Sequence, residues 1–313
     1  MNLVSATDVL LREFRAQPTM RAGSLIVTVF GDAIAPRGGT VWLGSLIRVM
    51  ADFGISERLV RTSIFRLSQD DWFVVEQAGR RSYYSLSSEG AQKFGQATHR
   101  IYGEPRQVWS GDWCLILLPD LEATLKERVR KELSWLGFAT VSAGVLAHPS
   151  PEMTDLGAML NRTGCENDLV VMRARTNRNG QEKALRRLVH KHWRLADIDA
   201  RYAAFVRMFR PVLSASTRKN HKDPRIAFLV RMLLIQEYRK VLLRDPLLPA
   251  ELLPPKWHGT AAYQLCRNLY LSVFEAADDY MTQAMETADG PLPPPAPEFF
   301  TRFGGLRKAE KKK

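Results

Sequence analysis

The stretch SERLVRTSIFRLSQ, residues 56–69, decides the fold of the N-terminal part of the chain. Ser56 stands where a helix N-cap is expected, and the pattern predicts a helix over residues 57–69. At about 100° per residue, one face of this helix takes the apolar side chains of Val60, Ile64 and Leu67. The opposite face takes Arg58, Arg61, Thr62 and Arg66. Three guanidinium groups suit a recognition helix in the major groove, where arginine bonds guanine edges or phosphates.

Two more amphipathic patterns precede this helix. A first predicted helix carries the apolar residues Leu25, Ile26, Val29 and Phe30. A second carries Leu43, Leu46, Ile47, Met50 and Phe53. Phe53-Gly54-Ile55 forms a tight break before Ser56, and such a glycine-containing turn between short helices is typical of a helix-turn-helix. Phe65, at the margin of the third helix, is expected to pack against a neighbouring helix.

A hairpin is predicted after the third helix. The aromatic and β-branched runs 72–75 and 82–86 flank the segment Gln77-Ala78-Gly79-Arg80-Arg81. Two arginines at a hairpin tip suit a wing that contacts a phosphate backbone or a minor groove. The sequence thus predicts a winged helix-turn-helix that binds duplex DNA through Arg58, Arg61, Thr62, Arg66, Arg80 and Arg81. The alternative is that these side chains form an ordinary solvated face.

Composition favours a soluble, cytoplasmic protein with a polyanionic partner. The chain has 313 residues, a net charge of +12 and 45% hydrophobic residues, values that suggest two or three globular domains. No stretch approaches the ~20 apolar residues of a membrane span, so no membrane partner is expected, and the N-terminus does not resemble a secretory signal. Three distant cysteines provide neither a disulfide framework nor a zinc site.

The positive charge is unevenly distributed. Residues 20–90 hold eight Arg and Lys against seven Asp and Glu, whereas residues 173–240 hold eighteen against five. The excess therefore lies in the second half, outside the predicted DNA-binding segment. Either that half also contacts DNA, or it binds a different anion, or its helices carry a solvated basic face.

The rest of the chain predicts an α+β multidomain protein. Strands at 113–118, 138–141, 145–148 and 168–172, with helices at 122–136 and 151–160, follow the β-α-β-β-α-β order of a ferredoxin-like domain. Helical patterns dominate from Glu182, and proline-rich, basic residues from Asp289 suggest disorder. The predicted division is an N-terminal arm 1–20, a winged helix-turn-helix 21–103, a ferredoxin-like domain 104–180, a helical domain 181–287 and a disordered tail 288–313.

Two other classes of protein remain open at this point. A ferredoxin-like, metal-dependent nuclease could use Asp120, which follows the first strand of that domain, but Asp120 also suits a helix N-cap. His190 and His192 point to different helix faces, and we find no catalytic residues, no metal ligands and no cofactor motif, so an enzyme is not expected. An effector-independent nucleic-acid-binding protein would use the basic second half without responding to any small molecule.

The chain resembles the PaaX family of bacterial transcriptional regulators. The likeness is carried by LIVTVFGDAI, by FGISERLVRTSIFRLSQDDWFV with GRRSYYSLSSEG, by WSGDWCLILLP with RKELSWLGF, and by LLIQEYRKVLLRDPLLPAELLPPKWHG. It implies a homodimer that represses phenylacetic acid degradation genes from double-stranded operator DNA and is released by phenylacetyl-CoA or a related aryl-CoA. It identifies no effector-binding residue.

The charge asymmetry leads to a hypothesis about that effector. A CoA ester carries several phosphates and an apolar acyl group, so it needs cations beside an apolar slot. The basic segment 173–240 contains Trp193, Tyr202 and Phe205. We therefore expect the aryl-CoA to bind the C-terminal half of the chain.

Overall fold

The chain forms two compact units. The computed structural model describes residues 2–17, 22–104, 108–118, 121–149, 151, 153–176, 181–217 and 223–306. Unit 1 contains residues 1–104, 203–240 and 260–313, and unit 2 contains residues 105–202 and 241–259. Both units are therefore built from segments that are far apart in the sequence.

The N-terminal segment of unit 1 consists of short helices and a small sheet. Its elements are α1 Leu3–Arg15, α2 Ala22–Val29, β1 Thr40–Trp42, α3 Leu43–Ala51, α4 Glu57–Gln69, β2 Phe73–Ala78, β3 Arg81–Leu86 and α5 Ser88–Tyr102. A π-helical turn, Phe30–Ile34, and a 3-10 turn, Ala35–Arg37, extend α2. Gly31 in the π-helical turn allows a close approach, because a Cβ there would lie 2.7 Å from the ring of Phe94.

The small sheet is antiparallel, with the strand order β1-β3-β2. The predicted third helix, 57–69, is confirmed with its bounds, and the predicted hairpin is confirmed as β2 and β3. β1 was not predicted, because it has only three residues and depends on pairing with β3, as in Val41 opposite Tyr84. Residues 3–15 of the predicted N-terminal arm form the helix α1, which buries Leu10 and Phe14.

The remaining part of unit 1 is mainly helical and joins the N-terminal segment in one core. It comprises most of α9 Leu195–Ser216, α10 Pro224–Leu242 and α11 His258–Ala284, followed by β8 Glu286–Thr287, β9 Gly290–Pro291 and a 3-10 segment Pro297–Gly304. Most of the predicted segments 21–103 and 181–287 thus lie in the same compact unit. Hydrogen bonds join the two parts, for example from Thr28 Oγ1 to Gln236 Oε1 at 2.5 Å.

The prediction of a disordered tail is wrong for residues 288–306. β8 and β9 form a short antiparallel pair, and the 3-10 segment buries Phe299 and Phe303. Proline-rich composition suggested disorder, but two aromatic side chains and one buried arginine provide enough contacts to fix the segment. Residues 307–313, including Arg307, Lys308 and the three terminal lysines, lie outside the described part of the chain.

Unit 2 is a four-stranded sheet with helices on both faces. Its elements are β4 Asp112–Leu117, α6 Ala123–Trp135, β5 Ala139–Ser142, β6 Val145–His148, α7 Met153–Thr163, β7 Val170–Arg175 and α8 Glu182–His192. The strand order is β5-β6-β4-β7, and all neighbouring pairs are antiparallel. The predicted β-α-β-β-α-β order is confirmed, and it is the order of a ferredoxin-like module.

Each face of this sheet has its own apolar core. One face packs on α6 and α7 through a cluster that includes Ile116, Val129 and Leu156. The other face packs on α8 and on the proline-rich segment 245–257, through Trp113, Val189, Trp193, Leu248 and Leu252. The leucine- and proline-rich run is therefore packed against the sheet. Asp120, the candidate metal ligand, lies outside the described residues.

Candidate nucleic-acid interface

The turn between α3 and α4 fixes where α4 begins. Gly54 has φ +82°, a left-handed conformation that glycine adopts without steric cost. The N–H of Ile55 donates to the carbonyl of Met50 at 3.2 Å. Ser56 then caps α4, because its Oγ accepts from the N–H of Leu59 at 3.4 Å. The N-cap that the sequence predicted at Ser56 is confirmed.

Three other elements of unit 1 hold this turn. Arg15 of α1 donates through Nε to the carbonyl of Phe53 at 3.1 Å. The carboxylate of Asp52 accepts from Arg225 of α10, with a shortest distance of 2.7 Å, and from the hydroxyl of Tyr280 of α11. Burial and the hydrogen bond to Asp52 raise the pKa of Tyr280, so this tyrosine stays protonated and donates. The sequence missed these contacts, because their partners lie up to 228 residues apart.

The two faces of α4 are those that the helical periodicity predicted. Val60 and Ile64 are buried, with exposures of 0% and 1%. Between the exposed end residues Glu57 and Gln69, the exposed side chains form one stripe along the helix: Arg58, Arg61, Thr62, Phe65 and Arg66. α4 is therefore anchored by its apolar side, and the stripe is presented to solvent.

The arginines of the stripe differ in their partners. Arg61 forms an ion pair with Glu57, one helical turn earlier, at 2.7 Å. The hydroxyl of Thr62 donates to the carbonyl of Arg58 at 2.9 Å. Within the described ranges, Arg58 and Arg66 form no ion pair, so their guanidinium groups are available to an external anion.

Phe65 lies in the middle of the same stripe. The expectation that it packs against a neighbouring helix is wrong, because 62% of the residue is exposed. It makes no ring contact with any aromatic residue that the structure describes. A large apolar side chain therefore stands in solvent between guanidinium groups, and sequence reasoning did not include it among the DNA-binding candidates.

The hairpin presents its two candidate arginines differently. Arg80 is exposed in the two-residue turn that joins β2 and β3. Arg81 is the first residue of β3; its guanidinium lies 4.3 Å from the ring centroid of Trp42 and 3.2 Å from a carboxylate oxygen of Glu286. The side chain of Arg81 is thus held by unit 1, and Arg80 is the tip residue.

A buried ionic cluster centred on Asp32 lies directly after α2. The carboxylate of Asp32 contacts Arg231 Nε at 2.6 Å and Arg302 Nη1 at 3.0 Å, and the hydroxyl groups of Tyr102 and Tyr270 donate to it. Arg231 is also paired with Asp278 at 2.7 Å. Burial, then the charge of Asp32, raises the pKa of Tyr102 well above its usual value, so the phenol remains a donor.

This cluster joins elements that are remote in the sequence. Asp32 and Arg231 are 199 residues apart, and both side chains are 0% exposed. Arg302 belongs to the 3-10 segment in the tail that composition had suggested to be disordered. The cluster therefore connects the end of α2 to α5, α10, α11 and the C-terminal segment.

The basic segment 173–240 differs from what the effector hypothesis assumed. Arg231 is buried in the ionic cluster, and Arg239 donates to Ser24. Trp193, Tyr202 and Phe205 are 5%, 2% and 3% exposed, and serve as core residues. Part of the surplus charge is thus used within unit 1, and these three aromatic side chains do not line an open slot.

The described residues also bear on the other functional classes. Across the described ranges, no group of three or more His, Cys, Asp or Glu is placed to hold a metal ion. Among the same residues, no helix combines the length and apolar character needed to cross a bilayer. Cys114, Cys165 and Cys266 form no disulfide and are buried, so they occupy the positions of small apolar residues. Burial raises the pKa of the Cys114 thiol to about 11.

Three parts of the chain match models of known protein families. The central part, residues 106–186, matches the PaaX protein central Cas2-like domain. The protein is thus a mixed α+β protein in which helical N- and C-terminal regions accompany a Cas2-like domain. Residues 21–90 match the PaaX-like protein model and residues 193–283 match the PaaX-like protein C-terminal domain. The chain belongs to the PaaX family, as the sequence resemblance indicated.

Two individual proteins are similar to this chain. The transcriptional repressor PaaX of Escherichia coli (strain K12) is 38% identical over 284 residues, which cover 90% of each protein. The structure of the uncharacterized protein Rv0674 from Mycobacterium tuberculosis matches with a TM-score of 0.50 and 21% identity, covering 75% of this chain and 89% of that chain. The second likeness supports the fold alone.

Proposed function

We propose that this protein is a cytoplasmic transcriptional repressor that binds double-stranded operator DNA as a homodimer and is not an enzyme. In this proposal α2, α3, α4 and the sheet β1-β3-β2 form a winged helix-turn-helix, with α4 as its recognition helix. The observation that carries the proposal is the exposed stripe of α4. The relative in Escherichia coli, a transcriptional repressor, supports it.

The geometry of α4 fits insertion into a major groove. Its 13 residues span about 20 Å at about 1.5 Å per residue, and its outer face carries three arginines and a threonine. Arginine forms bidentate bonds with guanine, and threonine bonds several bases. Because the opposite face is buried and the preceding turn is held by Arg15, Arg225 and Tyr280, the stripe is presented in one fixed orientation.

Selection of duplexes from a random pool tests DNA recognition directly. The purified full-length chain is expected to enrich a sequence with two-fold related half-sites, as a homodimer requires. The enriched duplex should then bind about 10³-fold or more tightly than a shuffled duplex at the same salt concentration. Equal affinity for both duplexes would show that the protein does not recognise sequence.

We further propose that phenylacetyl-CoA or a related aryl-CoA weakens operator binding. A ligand does this only if it binds better to the conformation that fits DNA poorly. The resemblance to the family supports this effector, and its contact residues are left unassigned, since Trp193, Tyr202 and Phe205 belong to the core. The helical segment 181–287 is not a suitable fragment for measuring effector binding, because most of it belongs to unit 1, which also contains residues 1–104.

We expect phenylacetyl-CoA to lower the affinity of the full chain for its selected duplex by at least tenfold, while free phenylacetate and free CoA do not. Fluorescence anisotropy with labelled duplex, at constant salt, measures this change. Affinity that stays the same with all three compounds would favour an effector-independent nucleic-acid-binding protein. Sedimentation of the free protein and of its DNA complex gives the number of chains in each.

The tip of the hairpin provides a separate prediction. Replacement of Arg80 by alanine should remove one phosphate contact, so the slope of log affinity against log salt should become shallower by about 1 for each chain bound. The loss should be similar for selected and shuffled duplexes, since phosphates carry no sequence information. A slope identical to that of the parent would exclude Arg80 from the interface.

A further inference from the structure

We propose that Phe65 contacts the methyl group of a thymine in the operator and so contributes sequence preference beside the arginines. This inference rests on the proposed function, since it assumes that α4 lies in the major groove. Phe65 was expected from the sequence to pack against a neighbouring helix and was not among the predicted DNA-binding residues.

Phe65 lies within the exposed stripe. On a helix, residue 65 neighbours residues 61 and 62 of the preceding turn, and residue 66 lies about 100° further round the same exposed side. Arg61, Thr62 and Arg66 are all exposed. If these three side chains reach base edges, the ring between them reaches the same groove, because all four project from one face of α4.

The ring of Phe65 is largely exposed. Burial of a phenylalanine side chain ordinarily stabilises a protein, yet this residue remains 62% exposed beside a well-packed core. The buried face of α4 is already filled by Val60 and Ile64, which are almost inaccessible. The ring therefore contributes little to the stability of the fold. Contact with an external apolar group would remove its exposed surface from water and so favour binding.

The chemistry of the groove identifies that group. The arginines around Phe65 give this surface a positive charge that favours binding to a polyanion. In the major groove of DNA, the exposed apolar group is the C5-methyl of thymine. Phenylalanine is one of the side chains that contact this methyl group. Uracil lacks the methyl and keeps the same hydrogen-bonding edge, so it separates apolar contact from hydrogen bonding.

The test uses the full-length protein and the duplex that it selects from a random pool. Each thymine is replaced by deoxyuridine, one position at a time, and affinities are measured by anisotropy. For the wild-type chain, we expect about a fourfold loss at one thymine in each half-site, which corresponds to one methyl group. Phe65→Ala should bind the thymine duplex about tenfold to a hundredfold more weakly and should not distinguish thymine from uracil.

Matched variants separate this role from others. Phe65→Leu retains an apolar side chain and should retain part of the thymine preference. Val4→Ala shortens another exposed apolar side chain, 47% exposed in α1, and should bind both duplexes like the wild type. The melting temperature of Phe65→Ala should equal that of the wild type, because the ring is not in the core.

Three results would overturn the inference. Wild-type affinities that are equal for thymine and uracil at every position would exclude a methyl contact. Phe65→Ala with wild-type affinity would exclude any DNA contact, and a change of sedimentation in Phe65→Ala without DNA would assign the ring to self-association. Failure of the proposed function would look different, since the wild-type chain would then select no duplex at all.

Discussion

Replacement of Asp32 by alanine is expected to lower the free energy of unfolding of unit 1 by about 3–5 kcal/mol. The substitution leaves the buried Arg302 without its carboxylate and leaves Arg231 with Asp278 alone. It also removes the acceptor of the Tyr102 and Tyr270 hydroxyl groups. An uncompensated buried charge costs far more than a surface pair contributes, so this is the largest stability effect that we expect.

Chemical denaturation, followed by tryptophan fluorescence and circular dichroism, measures the effect. Glu132→Ala is a matched control, because Glu132 pairs with Arg162 at 2.7 Å on the surface of unit 2. It should change the free energy of unfolding by no more than about 1 kcal/mol. Arg302→Ala should destabilise unit 1 strongly; a stability equal to that of the wild type would mean that the C-terminal segment does not contribute to this core.

Removal of Arg61 and Arg66 together is expected to have the largest effect on DNA binding. Each guanidinium that reads a base contributes about 1–3 kcal/mol, so the double alanine variant should lose about 2–6 kcal/mol of operator affinity if the effects add. Arg66 has no ion pair with any described residue, whereas Arg61 is paired with Glu57. An exposed pair of this kind stabilises a helix by only about 0.2–0.5 kcal/mol.

Operator affinity and melting temperature, measured on the same samples, decide this prediction. Lys131→Ala, which removes an exposed cation from α6 of unit 2, serves as the control and should leave both quantities unchanged. Loss of affinity at constant melting temperature would support the assignment of the two faces of α4. Intact binding together with lowered stability would show that these arginines stabilise the protein and do not contact DNA.

The local elements could be predicted from the sequence because their signals are local. α4 has a capping serine, an apolar face at helical spacing and an arginine face within 14 residues, and each signal indicates the same helix. The hairpin and the central β-α-β-β-α-β order follow from short apolar runs in the same way. β1 escaped prediction because three residues, Thr40–Trp42, become a strand only by pairing with β3.

The features that depend on distant residues could not be predicted. A single aspartate at position 32 and a single arginine at position 231 have no periodicity, and only the fold brings them within 2.6 Å. Proline-rich composition after residue 288 suggested disorder, because composition does not show that Phe299 and Phe303 find a core. Phe65 was assigned to packing on hydrophobicity alone, and its exposure could be recognised only once the interior was seen to be filled.

The pairing of Asp32 with Arg302 also bears on how this protein folds while it is being synthesised. Domains fold as units during synthesis, N-terminal first when their residues are contiguous. Here the residue that completes the surroundings of Asp32 is 270 positions later. The N-terminal segment therefore completes its core only after residue 302 has been synthesised. Prematurely terminated chains would contain α4 with all its arginines and still lack the closing contact, so a truncated product should not compete with the finished protein for DNA.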